Sequence, residues 1–121
     1  PQSQVNRLVN EEYLKVIPVG FTRGLSWNGK AIIIDEAQNL TQKELITLLT
    51  RIGKFSKCFV CADPFQSDIN GKSGGFELVS KLFADEDSKK QGIYSFIFDE
   101  EQIQRSELCK FLVKKFKTIK K

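Results

Sequence analysis

Asp35 and Glu36 stand side by side where the apolar run Ala31-Ile32-Ile33-Ile34 ends, and the amides Gln38 and Asn39 follow almost at once. A second polar group, Asp63 with Gln66 and Asp68, closes the apolar run Cys58-Phe59-Val60-Cys61-Ala62. Neighbouring carboxylates at a strand tip point to different sides, so one can serve a hydrated cation while the other reaches a water molecule. Mg²⁺ suits such a pair because it keeps several waters and takes only one or two protein carboxylates beside substrate phosphates. Glu36 could then orient or deprotonate the attacking water, and Gln66 could hold that water or a terminal phosphate without adding negative charge. The plainer reading is that Asp35 and Glu36 open a strand-to-helix loop, with Gln38 and Asn39 satisfying its backbone.

Composition narrows the chemistry further. The chain has 121 residues, 40% hydrophobic and 28% charged, which predicts one modest domain spanning 1–121. It contains no His, so the usual general base for a Ser or Cys nucleophile is missing, and catalysis would rest on carboxylates, amides and cations. Cys58 and Cys61 have C-x-x-C spacing, but they sit in an apolar run and only Cys109 accompanies them, which favours strand cysteines over zinc or redox chemistry. Three cysteines, no leader pattern and no apolar run of about 18 residues predict a cytoplasmic protein with no membrane partner. The sequence opens on Pro1 and has no Met, which predicts a stretch of a longer protein. The net charge of +4 is mild, and Lys110, Lys114, Lys115, Lys117, Lys120 and Lys121 crowd near one end as a solvated face or a phosphate-binding one.

The elements that must position the carboxylates follow from periodicity. Val5, Leu8 and Val9 predict an amphipathic helix over 2–12, and 14–19 reads as a short strand with Pro18 near its end. Residues 30–35 and 57–62 read as strands of a parallel sheet covered on both faces. Between them, Thr41 and Glu44 form a capping box for a helix with Leu45, Ile46, Leu48, Leu49 and Ile52 on one face, stopped at Gly53. A short helix is expected over 74–83, a solvated connection over 84–92 and a strand over 93–98. A last helix, capped by Asp99 and Gln102, would carry Ile103, Leu108, Phe111, Leu112 and Phe116. Short loops joining buried strands to helices mark an α/β fold whose functional groups gather beyond the strand ends. Arg23, after the first strand, and Arg105, entering the last helix, would join Asp35, Glu36, Asp63 and Gln66 there.

From about Leu14 to Phe116, the segments VIPVGFTRG, AIIIDEAQN, LLTRIGKFSK and DPFQSDINGKSGG, with QRSE before the last helix, resemble the PhoH family of P-loop NTPases. The resemblance implies a partial RecA-like sheet, mostly parallel and flanked by helices. It implies ATP and Mg²⁺ as cofactors, Asp35 serving the metal and Glu36 the catalytic water as the Walker B pair. Asp63 to Gln66 resembles the motif that senses the terminal phosphate in superfamily one helicases, Arg23 would bind anionic groups, and Arg105 could act as an arginine finger on a neighbouring subunit. Leu25 stands where the family has a second arginine, and Ser106-Glu107 replaces a His-Pro. Some members couple ATP hydrolysis to RNA unwinding and form rings, so RNA and a homo-oligomer are implied partners.

No G-x-x-x-x-G-K-[ST] occurs in the 121 residues, and the resemblance places that loop and its strand upstream of Pro1. In a RecA-like sheet the missing strand would lie between 57–62 and 93–98. The expectation is that these two strands pair directly, that 93–98 pairs with another chain, or that an upstream half is supplied separately. A different class of function stays open: a non-catalytic module without a P-loop, gripping RNA or a protein through its basic end.

Overall fold

The computed structural model describes residues 2–63, 75–98, 102 and 106–118. They form two compact units, Pro1–Phe83 and Ala84–Lys121. The architecture is α/β, a small parallel sheet flanked by helices, as in part of a P-loop NTPase sheet. Among the described residues no helix is long and apolar enough to cross a membrane.

In the first unit, helix α1 (Gln2–Asn10) leads into a 3₁₀ turn at Val19–Phe21, then strand β1 (Ala31–Ile34) and a second 3₁₀ turn at Ala37–Asn39. Helix α2 (Gln42–Leu49), strand β2 (Lys57–Val60) and helix α3 (Gly75–Leu82) follow. The two strands run parallel, with Ala31 opposite Lys57, Ile32 opposite Cys58, Ile33 opposite Phe59 and Ile34 opposite Val60. The pairing starts before the strands proper: Trp27 N–H donates to the Arg51 carbonyl at 2.9 Å and Gly53 N–H to the Trp27 carbonyl at 2.8 Å. Gly53 thus marks a close approach of two backbones as well as the end of α2, since a Cβ there would lie 2.8 Å from the Trp27 oxygen.

The core is formed by Ile34, Ala37, Leu45 and Leu48, with Ile32, Cys58, Val60, Phe76 and Val79 packed against it. Side chains alternate across a strand, so Ile32, Ile34, Cys58 and Val60 share the covered face. The other face is open, with Ile33 72% and Phe59 55% exposed. Among the described residues the expected two-sided coverage is therefore not realised, since the side chains of α2 and α3 that meet the core pack on the face of Ile32 and Ile34. On α2, Leu45, Leu48 and Leu49 meet the core while Ile46 is exposed, being rotated about 100° from Leu45 on a 3.6-residue turn. The Cys58 thiol is pushed up chiefly by burial and secondarily by the nearby Cys61.

The capping box forms as expected: Thr41 Oγ1 accepts from Glu44 N–H at 3.3 Å and Glu44 Oε2 accepts from Thr41 N–H at 2.8 Å. Bonds from the Thr41 backbone and then its hydroxyl hold the Glu44 carboxyl below the ordinary glutamate range, against a small opposing effect of burial. The folded state binds this proton less readily than the unfolded one. Its stabilisation is therefore complete above the unfolded value of about 4.3 and is lost as pH falls through the lower folded value. Thr41→Ala is expected to lower stability by about 0.5 to 2 kcal/mol at neutral pH. Urea unfolding should show that deficit shrinking in acid; a deficit constant across pH would mean that the bond from the Thr41 hydroxyl to the Glu44 carboxylate contributes nothing.

Four expectations for the elements change. Residues 14–19 form no strand: Leu14 N–H bonds back to the Leu8 carbonyl at 3.1 Å, Glu12 turns through φ 57°, and the chain past Pro18 enters the first 3₁₀ turn. In the second unit, the expected solvated connection contains helix α4 (Glu86–Lys90), capped by Asp85, whose Oδ1 accepts from Ser88 N–H at 2.7 Å. Its acidic first turn and basic last turn suit the helix dipole, with Lys89–Glu86 and Lys90–Asp87 pairs along it. The bonds made by Ser88 hold the Asp85 carboxyl below its ordinary value. Residues 93–98 form no strand either, and the sheet among the described residues consists of β1 and β2. The last helix, α5 (Glu107–Lys117), begins later than expected, with Ser106 as its cap in place of Asp99 or Gln102. Asp99 and Ile103 lie outside the described residues.

Candidate functional site

The two strand tips meet at the C-terminal edge of the β1–β2 pair. Cys61 N–H donates to the Ile34 carbonyl at 2.8 Å, and Ala37 N–H donates to the Cys61 carbonyl at 2.9 Å. The second bond requires the chain to fold back immediately after Asp35. It does so at Glu36, which takes the left-handed conformation at φ 52° and ψ 35°. A non-glycine residue held there stores roughly 1 to 3 kcal/mol of strain, and such strain concentrates at functional sites. Asp35 Oδ1 accepts from the Glu36 N–H at 3.0 Å, which braces the turn.

Gln38 joins the two tips. Its side chain is 3% exposed, its Nε2 donates to Glu36 Oε2 at 2.5 Å, and its Oε1 accepts from Asp63 N–H at 3.0 Å. An amide carries a donor and an acceptor on separate atoms, so Gln38 donates to a carboxylate on one side and accepts from a main-chain N–H on the other. The plainer reading of Gln38 as a loop residue satisfying backbone captures only half of this, since its nitrogen positions the Glu36 carboxylate. The clue in the sequence was an amide two places after a strand-terminal acid, in a segment otherwise apolar enough to be buried.

Asp35 and Glu36 are exposed at this edge and Asp63 is half-buried. Asp35, Glu36 and Asp63 are thus brought together by β1, β2 and the Gln38 bridge. Arg23 follows Thr22, which is buried and donates its Oγ1–H to the Val19 carbonyl at 2.7 Å. Gly24 then turns the chain with φ 80°. Among the described residues Arg23 is exposed and forms no ion pair with the carboxylates, so the structure holds its loop without bonding it to them. Gln66 and Arg105, expected at the same edge, lie outside the described residues.

Among the described residues no three His, Cys, Asp or Glu side chains converge as a metal-binding cluster. Asp35 is an exposed hard-oxygen donor of the kind that could join waters and ligand phosphates around Mg²⁺.

Gln38→Leu fills the same volume without polar atoms. It should lower stability by about 1 to 2 kcal/mol, because the half-buried Asp63 amide loses this acceptor. Hydrogen exchange at the Asp63 amide should accelerate more than at Glu44, whose cap is untouched. Equal acceleration at both would show that Gln38 does not tie the two tips.

A family model described as PhoH-like protein matches residues 1–117. Protein PhoH2 of Bacillus subtilis (strain 168) is 49% identical over 73 residues, which is 58% of this chain and 16% of that protein. The PhoH-like protein of Synechocystis sp. is 33% identical over 79 residues, 64% of this chain and 24% of its own length. The PhoH-like protein of B. subtilis is 26% identical over 111 residues, 91% of this chain and 34% of its own. The matched stretch is thus about a third or less of each of these relatives. No solved structure matches. A family match running from residue 1 to residue 117, over the acidic strand tips and the amide that links them, makes this chain a member of the PhoH-like protein family.

Proposed function

We propose that this chain is the metal- and water-handling portion of an ATP-hydrolysing protein. The observation that carries the reading is the Gln38 bridge, which sets the Glu36 carboxylate beside the main chain of Asp63 at one sheet edge. In this reading Asp35 helps to hold Mg²⁺, and the metal would neutralise charge on the bound phosphates. Glu36 orients the water that attacks the terminal phosphorus and takes up its proton. Asp63 and Gln66 sense the terminal phosphate, and Arg23 and Arg105 meet anionic oxygens, Arg105 from a neighbouring subunit. Backbone N–H groups of a phosphate-binding loop are needed to cradle the phosphates. No such motif occurs in these 121 residues, so turnover belongs to a longer chain or an assembly that supplies one. Coupling of that turnover to RNA, and assembly into a ring, belong to the same reading.

The test is phosphate release from ATP, with and without Mg²⁺, by the protein that joins this chain to a G-x-x-x-x-G-K-[ST] loop. Metal-dependent release is expected. Failure to bind ATP at all in that context would remove the reading and leave the non-catalytic one.

A further inference from the structure

The end of the β1–β2 pair opposite the acidic edge carries the opposite charge. Residues 26–34 and 50–62 contain Lys30, Arg51, Lys54 and Lys57 and no Asp or Glu. The three lysines are exposed and Arg51 is half-buried. The two segments are laced together ahead of the strands. Gly29 N–H donates to the Lys54 carbonyl at 2.9 Å and Lys54 N–H to Asn28 Oδ1 at 2.9 Å, while Lys30 N–H donates to Ser56 Oγ at 3.0 Å and the Ser56 hydroxyl to the Trp27 carbonyl at 2.6 Å. The backbones that carry the lysines are thus fixed to one end of the sheet.

Phe55 stands inside that lacing. Its backbone is left-handed at φ 61°, as is that of Gly29 at φ 62°. Glycine takes this conformation freely, but a bulky side chain takes it only under strain. Burial does not offset the strain, because the ring is 96% exposed. The bonds made by Lys54 and Ser56, on either side of it, hold the residue in place. An aromatic ring presented at such a cost points to a ligand.

Charge and shape select that ligand. Four cations without an acid among them suit a polyanion, and an outward phenyl face suits a flat apolar surface. Single-stranded nucleic acid offers both, phosphates for the cations and bases that stack on the ring, whereas a duplex hides its base faces. An anionic bilayer also attracts lysines, but one ring on a fixed loop gives it little apolar area, and one ring is enough to stack a base. We propose that Phe55, with Lys30, Arg51, Lys54 and Lys57, forms a binding site for single-stranded nucleic acid. Phe55 is the stacking platform and the cations track the phosphates. The site gives a place to the nucleic acid of the proposed function without resting on ATP hydrolysis.

Fluorescence anisotropy of a labelled uridine strand of about 12 nucleotides, titrated with the 121-residue chain in the absence of ATP, tests the site. Binding with Kd between about 10 and 300 μM at low salt is expected. Phe55→Gly should weaken it by about 5- to 100-fold, and Phe55→Trp should preserve it. Phe55→Gly should not lower the urea midpoint, since glycine suits φ 61° and no buried ring is lost. Lys54→Gln with Lys57→Gln should reduce the slope of log affinity against log salt by roughly 1. No binding below about 1 mM, affinity indifferent to Phe55→Gly, or an unchanged salt slope would overturn the proposal. So would a lower urea midpoint for Phe55→Gly, or tighter binding to a duplex or to phosphatidylserine vesicles than to the single strand. Since no ATP is present, none of these results bears on the hydrolytic reading.

Discussion

Glu36→Gln is expected to leave ATP binding nearly intact and to lower hydrolysis by about 10²- to 10⁴-fold, in a protein that supplies the phosphate-binding loop. Glutamine is nearly isosteric with glutamate, can still accept from Gln38 Nε2, and is no more at ease in the left-handed conformation than the residue it replaces. Backbone strain, turn geometry and the Gln38 bridge are therefore held constant, and what is lost is the negative charge that, in the proposed function, takes a proton from water. Glu36→Gly would be a poorer probe, because it also relieves the strain at φ 52°. Phosphate release measured beside ATP affinity separates the outcomes. Unchanged turnover would remove Glu36 from the chemistry, while equal loss of binding and turnover would make it a ligand for the nucleotide only.

The largest effect on stability should come from Gly75→Ala. A Cβ at Gly75 would run into the backbone nitrogen of Gln42 and lie 2.5 Å from the Thr41 carbonyl carbon. These are backbone atoms at the start of α2, held by the capping box and by the burial of Leu45 and Leu48, so they cannot yield cheaply. Helix α3 must move instead, lifting Phe76 and Val79 from the core and stretching the 3.2 Å bond from Gly75 N–H to the Leu40 carbonyl. We expect a loss of roughly 3 kcal/mol, at the upper end for overpacking, which is over a hundredfold in the folding equilibrium. Gly20→Ala is the control, since nothing lies within 4 Å of a Cβ there. Urea unfolding of the two variants decides the matter; a Gly75→Ala protein as stable as Gly20→Ala would show that α3 does not rest on α2 at this point.

The parts of the fold legible in the sequence are those where local chemistry and burial agree. The run from Ala31 to Ile34, the Thr41 and Glu44 box, and the apolar faces of α2 and α3 are such places, and each element appears within a few residues of its expected bounds. The strands expected at 14–19 and 93–98 are different, because a strand exists only beside a partner. Neither segment has one among the described residues, whatever its β propensity. Helix α4 was hidden for the opposite reason: Glu86-Asp87-Ser88-Lys89-Lys90 has no apolar period, and the helix rests on its Asp85 cap and charge placement. At the site, the carboxylates were visible as residue types at strand ends. The turn at Glu36 and the two bonds of Gln38 depend on the register of β1 against β2, which no single segment reveals.

The central claim is that Asp35, Glu36 and Asp63 face one metal-bound nucleotide at a shared sheet edge. Mn²⁺ in place of Mg²⁺ tests it most directly, through paramagnetic broadening of backbone amide signals in the nucleotide complex of a protein that carries this chain and a phosphate-binding loop. The account predicts that the amides of Asp35, Glu36, Ala37 and Asp63 broaden strongly while those of Trp27 and Gly53, past the opposite ends of the two strands, stay sharp. Sharp signals at Asp35 and Asp63 with nucleotide bound, and broadening elsewhere, would contradict it.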